Sequence, residues 1–368
     1  MPARRFYLRL SLFLLPVVLI GLGGVGLGLF CGELLSVKYV ARLQEQGKPF
    51  VFLPELSDHS YRLKLEGASR RKPDVLVLGS SRANQWRSAM FRPERFYNAG
   101  NAIFLMRDFR RALEELGDVT PRVIIFSIDY FVFLPSYEFV YRLQSREDMG
   151  GWLSAELVAI AEGVLAETIL RPGAVLGGQH DGVPALGLSA RKTGSGFRLD
   201  GSYHYGNAGP LQAASAVAGI QNGTQWPTKP AERLDDAVLR EFERFTDLAR
   251  KKGIALVGIT MPFVPEVSRA MEQSTLYQAW KQFECPQTKE WIRNQGVVYF
   301  DFTKLESFGG KSDEFADPFH PSEPAYLRML LAMLAEPKFR ALFPDLDING
   351  LEERLKHSSS TEVFGNEF

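Results

Sequence analysis

Cysteine is scarce: the 368 residues contain two, Cys31 and Cys285. One ends an apolar N-terminal stretch and the other lies far downstream, so neither a disulfide framework nor a metal-ligand spacing is present. Excess charge of either sign is also absent. Lys plus Arg and Asp plus Glu both number 43, the formal net charge is zero and the pI is near 7.0. That balance argues against nucleic acid as a partner, because such binders usually carry a basic face. No Gly-Lys-Ser/Thr loop follows any apolar run, which disfavours a nucleotide-cradling α/β protein. No internal repeat is evident, and the sequence asks for no cofactor and no metal. Five histidines make each one in a suggestive setting notable. At 45% hydrophobic and 23% charged, the chain has ordinary globular chemistry, with room for one large domain or two small ones.

The N-terminus is less ordinary. Arg4, Arg5 and Arg9 precede a run from Leu10 to Phe30 that is apolar or Gly apart from Ser11 and Pro16. At about 1.5 Å rise per residue, roughly 20 such residues cross a hydrocarbon core of about 30 Å. A cleaved signal peptide usually has a core of only ~7–15 residues and a small-residue cleavage site, which this run lacks. The bulky Phe30 argues against a lipid-modified Cys31. The expectation is an uncleaved anchor over residues 1–31. The basic flank places it inside and the main domain outside the cytoplasm, periplasmic or extracellular, with Lys38 and Arg42 weakening that bias. Leu34, Leu35, Val37, Val40 and Leu43 recur at helical spacing, so the helix is expected to continue past the membrane surface. Residues 32–72 read as a connector.

Five short apolar runs then read as strands: Asp74–Leu78, Arg95–Tyr97, Arg122–Phe126, Ile254–Ile259 and Val297–Phe302. Helical periodicity lies between several of them, over Met106–Leu116, Leu234–Lys252 and Leu276–Asn294. Such alternation predicts an α/β fold with a doubly wound, mostly parallel five-stranded sheet. Ligands of such sheets bind outside the carboxyl ends of the strands. The domain is expected over residues 73–345, with a large insertion over about 135–230 that forms a cap or substrate-binding lobe. It holds a helical run near Leu153–Leu170, a Gly/Ser-rich stretch and the aromatics Phe197, Tyr203 and Tyr205. Residues 346–368 read as a C-terminal tail, frayed from Leu351 on.

Two motifs follow strand ends. Val75-Leu76-Val77-Leu78 runs into Gly79-Ser80-Ser81-Arg82, a tight turn with exposed hydroxyls before a helix expected over Arg82–Met90. A serine hydroxyl needs a base to become a nucleophile, and a helix start supplies N–H groups for developing negative charge. Ser81 is the first candidate, Ser80 the rival; a plain turn with Ser81 as N-cap is the bland alternative. Near the other end stands Asp317-Pro318-Phe319-His320-Pro321-Ser322. An Asp three residues before a His suits a carboxylate that fixes an imidazole tautomer. Ser322-Glu323-Pro324 then opens a helix, with Ser322 as its cap, pinned to the core by Tyr326, Met329, Leu330, Met333 and Leu334.

In these residues the chain resembles the SGNH (GDSL-like) hydrolase superfamily. It is most similar to the membrane-anchored branch that includes the alginate O-acetylation and teichoic-acid D-alanylation proteins. The resemblance implies a three-layer α/β/α domain. The family's Gly-x-Ser block is matched by Gly79-Ser80-Ser81, with Ser80 in place of the usual Asp, and implies Ser81 as nucleophile. Asn98-Ala99-Gly100 matches the second block and implies the Gly100 amide, beside that of Ser81, as an oxyanion donor. The final Asp-x-x-His block is matched by Asp317 and His320. The third block departs: Ser127-Ile128-Asp129-Tyr130 stands where the family often has Gly-x-Asn-Asp. An ionised Asp129 cannot donate to an oxyanion, so it either has a structural job or leaves the donor role to Asn101 or Asn84. Arg82 is a candidate to hold an anionic sugar or phosphate, with structural pairing as the alternative. His204, between two tyrosines, would line a glycan cleft or simply pack its loop, and Thr260-Met261-Pro262 shapes a pocket rim.

The resemblance implies an outward-facing serine esterase or O-acyltransferase working on cell-envelope or exported polysaccharide. Its partners would be an acylated polysaccharide or acyl donor and a membrane-bound acyltransferase. The alternative is a weak or inactive scaffold of the same fold, binding glycan or a polysaccharide-synthesis partner.

Overall fold

A computed structural model describes residues 2–56, 60–134, 153–180, 182–206, 212–365 and 367. Residues 135–152, at the start of the expected insertion, lie outside them. All five expected strands form: β1 (Val75–Leu78), β2 (Phe96–Ala99), β3 (Val123–Ser127), β4 (Ala255–Thr260) and β5 (Val298–Asp301). Their order is β5-β4-β3-β1-β2 and each of the four pairings is parallel. The chain is thus wound outward in both directions from β1, and its switch point falls between β1 and β3. β1 and β3 are buried along their whole length, as unbroken Val, Leu and Ile runs require when both faces are covered.

Alternation along the strands sorts the layers. On one face Tyr97 meets the helix α2 (Ser60–Arg71) at Gly67, and Phe126 meets Phe109, Phe242 and Phe245 of α3 (Met106–Glu115) and α5 (Asp236–Lys251). On the other face Phe96 stacks on Phe91, which meets Phe343, while Phe300 meets Phe339; Trp86 meets Tyr326 of α6 (Glu323–Leu334). Three layers result.

Several local expectations change, each for a visible reason. Leu276–Asn294 is two helices, Gln278–Glu284 and Pro286–Asn294. Pro286 holds Cys285 in extended backbone and cannot donate a helical bond. The helix expected over Arg82–Met90 is only two 3₁₀ turns, Ser81–Ala83 and Ser88–Met90. Asn98 Nδ2 takes the carbonyls of Ala83 (3.0 Å) and Trp86 (2.8 Å), which a helix would need as acceptors. Ser322 precedes α6 without capping it, because its hydroxyl donates to the Ser360 carbonyl at 2.6 Å.

The tail is not frayed at Leu351. Ile348–Lys356 is a helix capped by Asp347, and buried Phe364 docks beyond it. Glu323 anchors that segment by accepting from the amides of Val363 (3.0 Å) and Phe364 (3.1 Å).

The N-terminal helix α1 (Pro2–Cys31) does not run on as expected. Buried Glu33 accepts from the amides of Glu55, Leu56 and Leu188, drawing the chain into a turn before a separate helix, Val37–Glu45, capped by Ser36. Phe6–Cys31 is long and apolar enough to cross a membrane. The connector and the insertion then build one structure. Val51–Phe52 is the middle strand of a small sheet whose other strands, Gln179–His180, Val183–Leu186, Gly196–Phe197 and Tyr203–His204, all come from the insertion. The apolar helix α4 (Leu153–Leu170) packs on α1.

Candidate active site

The site sits where a doubly wound sheet places ligands, at the carboxyl ends of β1 and β3. Gly79 turns the chain there at φ 153°, and a side chain on it would collide with Ser127 Oγ. The two hydroxyls that follow have different fates. Ser80 is buried and donates to Asp129 Oδ2 at 2.7 Å. Ser81 stays half-buried with its Oγ 2.8 Å from His320 Nε2.

His320 arrives from the opposite end of the chain on a tight hairpin in which Phe315–Asp317 pairs with His320–Pro321. Asp then Pro is favoured chemistry for such a turn. Asp317 divides its two oxygens. Oδ1 accepts from the amides of Phe319 (2.8 Å) and His320 (3.1 Å), which fixes the turn; Oδ2 lies 2.7 Å from His320 Nδ1. A carboxylate there requires Nδ1 to carry the proton, leaving Nε2 to accept from Ser81. Burial pushes the Asp317 carboxyl up, but its bond to His320, the charge there and the two amides outweigh this and hold it below the usual range. Ser81 and His320, 239 positions apart in the sequence, form one hydrogen-bonded chain with Asp317.

Arg82, at the wall of the cleft, is paired with Asp129 behind it. Both are buried, with Nη1 to Oδ1 at 2.9 Å. Arg82 Nη2 also donates to the carbonyls of Met261 and Pro262, both at 2.7 Å, and Nε to Phe319 at 3.1 Å. The guanidinium lies 3.9 Å from the Phe263 ring centre, and its own carbonyl accepts from the Tyr326 hydroxyl. It thus ties β1's turn, the loop after β4 and the His320 hairpin together. Asp129 completes this with Ser80 and with Ser127 Oγ at 3.1 Å. Asp129 and Arg82 therefore have structural work, and Asp129 offers no donor to the cleft.

The oxyanion donors are less complete than the resemblance implies. Gly100 N–H already donates to Asn98 Oδ1 at 2.6 Å. Ser81 N–H has no acceptor among the described residues. Asn101 adopts φ 63° and its amide donates to the Ser80 carbonyl at 3.0 Å, securing the turn. Asn84 is buried against Gly100, and its Oδ1 has no partner among the described residues. The bond that Asn101 makes to Ser80 is through its backbone N–H, so the side-chain amides of both Asn84 and Asn101 remain near the turn.

Beside Ser81 and His320 opens a cleft of about 560 Å³, walled by Phe104, Phe131, Trp226, Pro227 and Phe319 with Gln212, Ser215 and Gln225 as polar groups. Apart from Phe319, which lies within the Asp317–Ser322 motif, the sequence pointed to none of these wall residues, since isolated aromatic side chains carry no periodic signal. The insertion does approach the site: Tyr205 lies 5.9 Å from the His320 ring and 5.1 Å from Tyr203.

His204 packs its loop and does not line the cleft. Arg198 Nη2 lies 3.0 Å from its Nδ1, an arrangement that suits a neutral imidazole accepting a bond. Around it Arg87 and Arg198 pair with Glu323, Arg87 pairs with Asp200, and Glu362 lies 3.6 Å from His204. Burial, then the Arg198 charge, pushes the imidazole down to about 4. An unfolded His titrates near ~6.5, so the unfolded state binds more protons between those values. Stability is therefore expected to fall as pH drops from about 6.5 towards 4 and to be level with respect to this group above 7. Urea midpoints at pH 7.5, 5.5 and 4.5 check this: His204→Gln should lose less of its own neutral-pH stability than the parent over that window. An unchanged slope would contradict it.

No family model, curated protein or solved structure matches the chain.

Proposed function

We propose that the chain is a membrane-anchored serine acyl hydrolase or O-acyltransferase of the SGNH type, acting outside the cytoplasm on cell-envelope or exported polysaccharide. The observation that carries the reading is the continuous Ser81–His320–Asp317 relay, at 2.8 and 2.7 Å, above the sheet's switch point. Ser81 attacks the acyl carbonyl while His320 Nε2 takes its proton. Asp317 holds the imidazole and balances the imidazolium. The leaving oxygen takes the proton back from His320, and the acyl-enzyme passes to water or a sugar hydroxyl by the reverse relay. Ser81 N–H is the backbone donor to the oxyanion, with Asn84 as its candidate side-chain companion. The aromatic wall of the cleft suits an uncharged acyl group, and Arg82, being committed to Asp129, recognises no anion. Localisation rests on the apolar span Phe6–Cys31 and its basic flank.

A second reading, a weak or inactive scaffold, is favoured by the engagement of Gly100 N–H with Asn98. Hydrolysis of a p-nitrophenyl acyl ester by detergent-solubilised full-length protein separates the two. Turnover that is lost in His320→Ala, with unchanged expression and melting temperature, supports the enzyme. Turnover preserved in that variant, or absent in the parent, supports the scaffold.

A further inference from the structure

Outside α1, five of the nine large apolar side chains left exposed among the described residues lie in one place. Leu157, Val158, Ile169 and Leu170 of α4, and Leu176 of the short helix Pro172–Gly177 after it, stand 39–79% exposed. Neither composition nor periodicity gives α4 a polar face: its residues are apolar nearly all round, with Glu162 exposed and Glu167 paired to Lys192 at 3.2 Å. A helix of that kind on a water-facing domain needs a cover.

Its neighbour says what the cover is. α4 lies against the last turns of α1. Gly24 approaches it so closely that an added Cβ would sit 2.7 Å from the Ala161 carbonyl, and Cys31 shares a buried cluster with Ile160 and Val164. The apolar span Phe6–Cys31 holds 26 residues. At ~1.5 Å per residue that is about 39 Å, longer than a hydrocarbon core of about 30 Å. The turns from Gly24 to Cys31 therefore fall at the outer boundary of the bilayer, and α4 with them. Exposed Tyr39 and Lys38, just beyond α1, and exposed Arg171 at the end of α4 suit the headgroup layer.

We propose that α4 and Pro172–Gly177 form a lipid-seated foot, with their outward apolar side chains embedded in the outer boundary of the membrane beside α1. The foot fixes the domain's orientation over the bilayer through two contacts instead of one flexible tether. The inference rests on α1 being a membrane span. The test uses full-length protein in nanodiscs of phosphatidylcholine and phosphatidylglycerol, with nitroxide labels on single cysteines in a Cys285→Ser background, Cys31 being buried. Labels at Ile169→Cys and Val158→Cys are compared with Phe13→Cys on α1 and Leu276→Cys on the globular domain. The foot predicts an oxygen-to-nickel-chelate accessibility ratio several-fold higher at 169 and 158 than at 276, approaching that at 13. A lipid-like label at 13 with water-like labels at 169 and 158 overturns the foot and spares the anchor. A water-like label at 13 overturns the anchor and the foot together. Labels that are water-like in nanodiscs but shielded in native membranes assign this face to a protein partner and also overturn the proposal.

Discussion

Ser81→Ala is expected to reduce acyl-ester turnover about 10⁴-fold or more, with the melting temperature changed by no more than a degree or two. Losing the nucleophile of a working relay typically costs as much as losing the whole relay. Ser81 is half-buried and among the described residues its hydroxyl bonds only His320, so little else depends on it. Ser80→Ala is the informative partner. Ser80 is the deeper hydroxyl and serves Asp129, so its loss leaves an under-satisfied buried carboxylate, a cost of about 1–3 kcal/mol. Turnover is nevertheless retained. If the two variants behaved the other way round, the roles of the neighbouring serines would have to be exchanged.

Asp129→Ala is expected to destabilise the fold by about 3–5 kcal/mol, because it strands the buried Arg82 guanidinium without its counter-charge. For a domain of this size that lowers the melting temperature by roughly 10 °C. Activity falls as well, since Arg82 Nε holds the Phe319 carbonyl in the hairpin that presents His320. The double variant Arg82→Met/Asp129→Leu should cost clearly less than the sum of the single changes, as replacing both members of a buried pair by apolar groups often does. Additive losses in thermal melts would show that the pair is not coupled, and that Asp129 acts mainly through Ser80 and Ser127.

The reach of the sequence is set by the range of the forces involved. The sheet was legible because Val75–Leu78 and Val123–Phe126 are buried on both faces and so read as unbroken apolar runs. The three candidate site residues, Ser81, Asp317 and His320, were legible because each follows a strand or precedes a helix, in a local motif whose chemistry is self-contained. Asp317 in particular builds its own turn before it touches the imidazole. What was lost depended on distant partners. Nothing near Ser81 announces that Asn98 will claim the carbonyls of Ala83 and Trp86 and prevent a helix. Nothing near Glu323 announces that it will tie down Val363 and Phe364. The two-residue strand Val51–Phe52 has too little periodicity to be seen, yet it joins the connector to the insertion. The break at Cys285 was different: Pro286 was there to be read, and local chemistry alone would have split that helix.

In the proposed mechanism His320 makes the Ser81 hydroxyl nucleophilic. The most direct measurement is to treat full-length protein in membranes with a fluorophosphonate and map the adduct by peptide mass spectrometry. One phosphonylated residue is expected, Ser81, with the adduct absent after His320→Ala and present after Ser80→Ala. An adduct on Ser80, or none on the parent protein under conditions that label a control serine hydrolase, would contradict it.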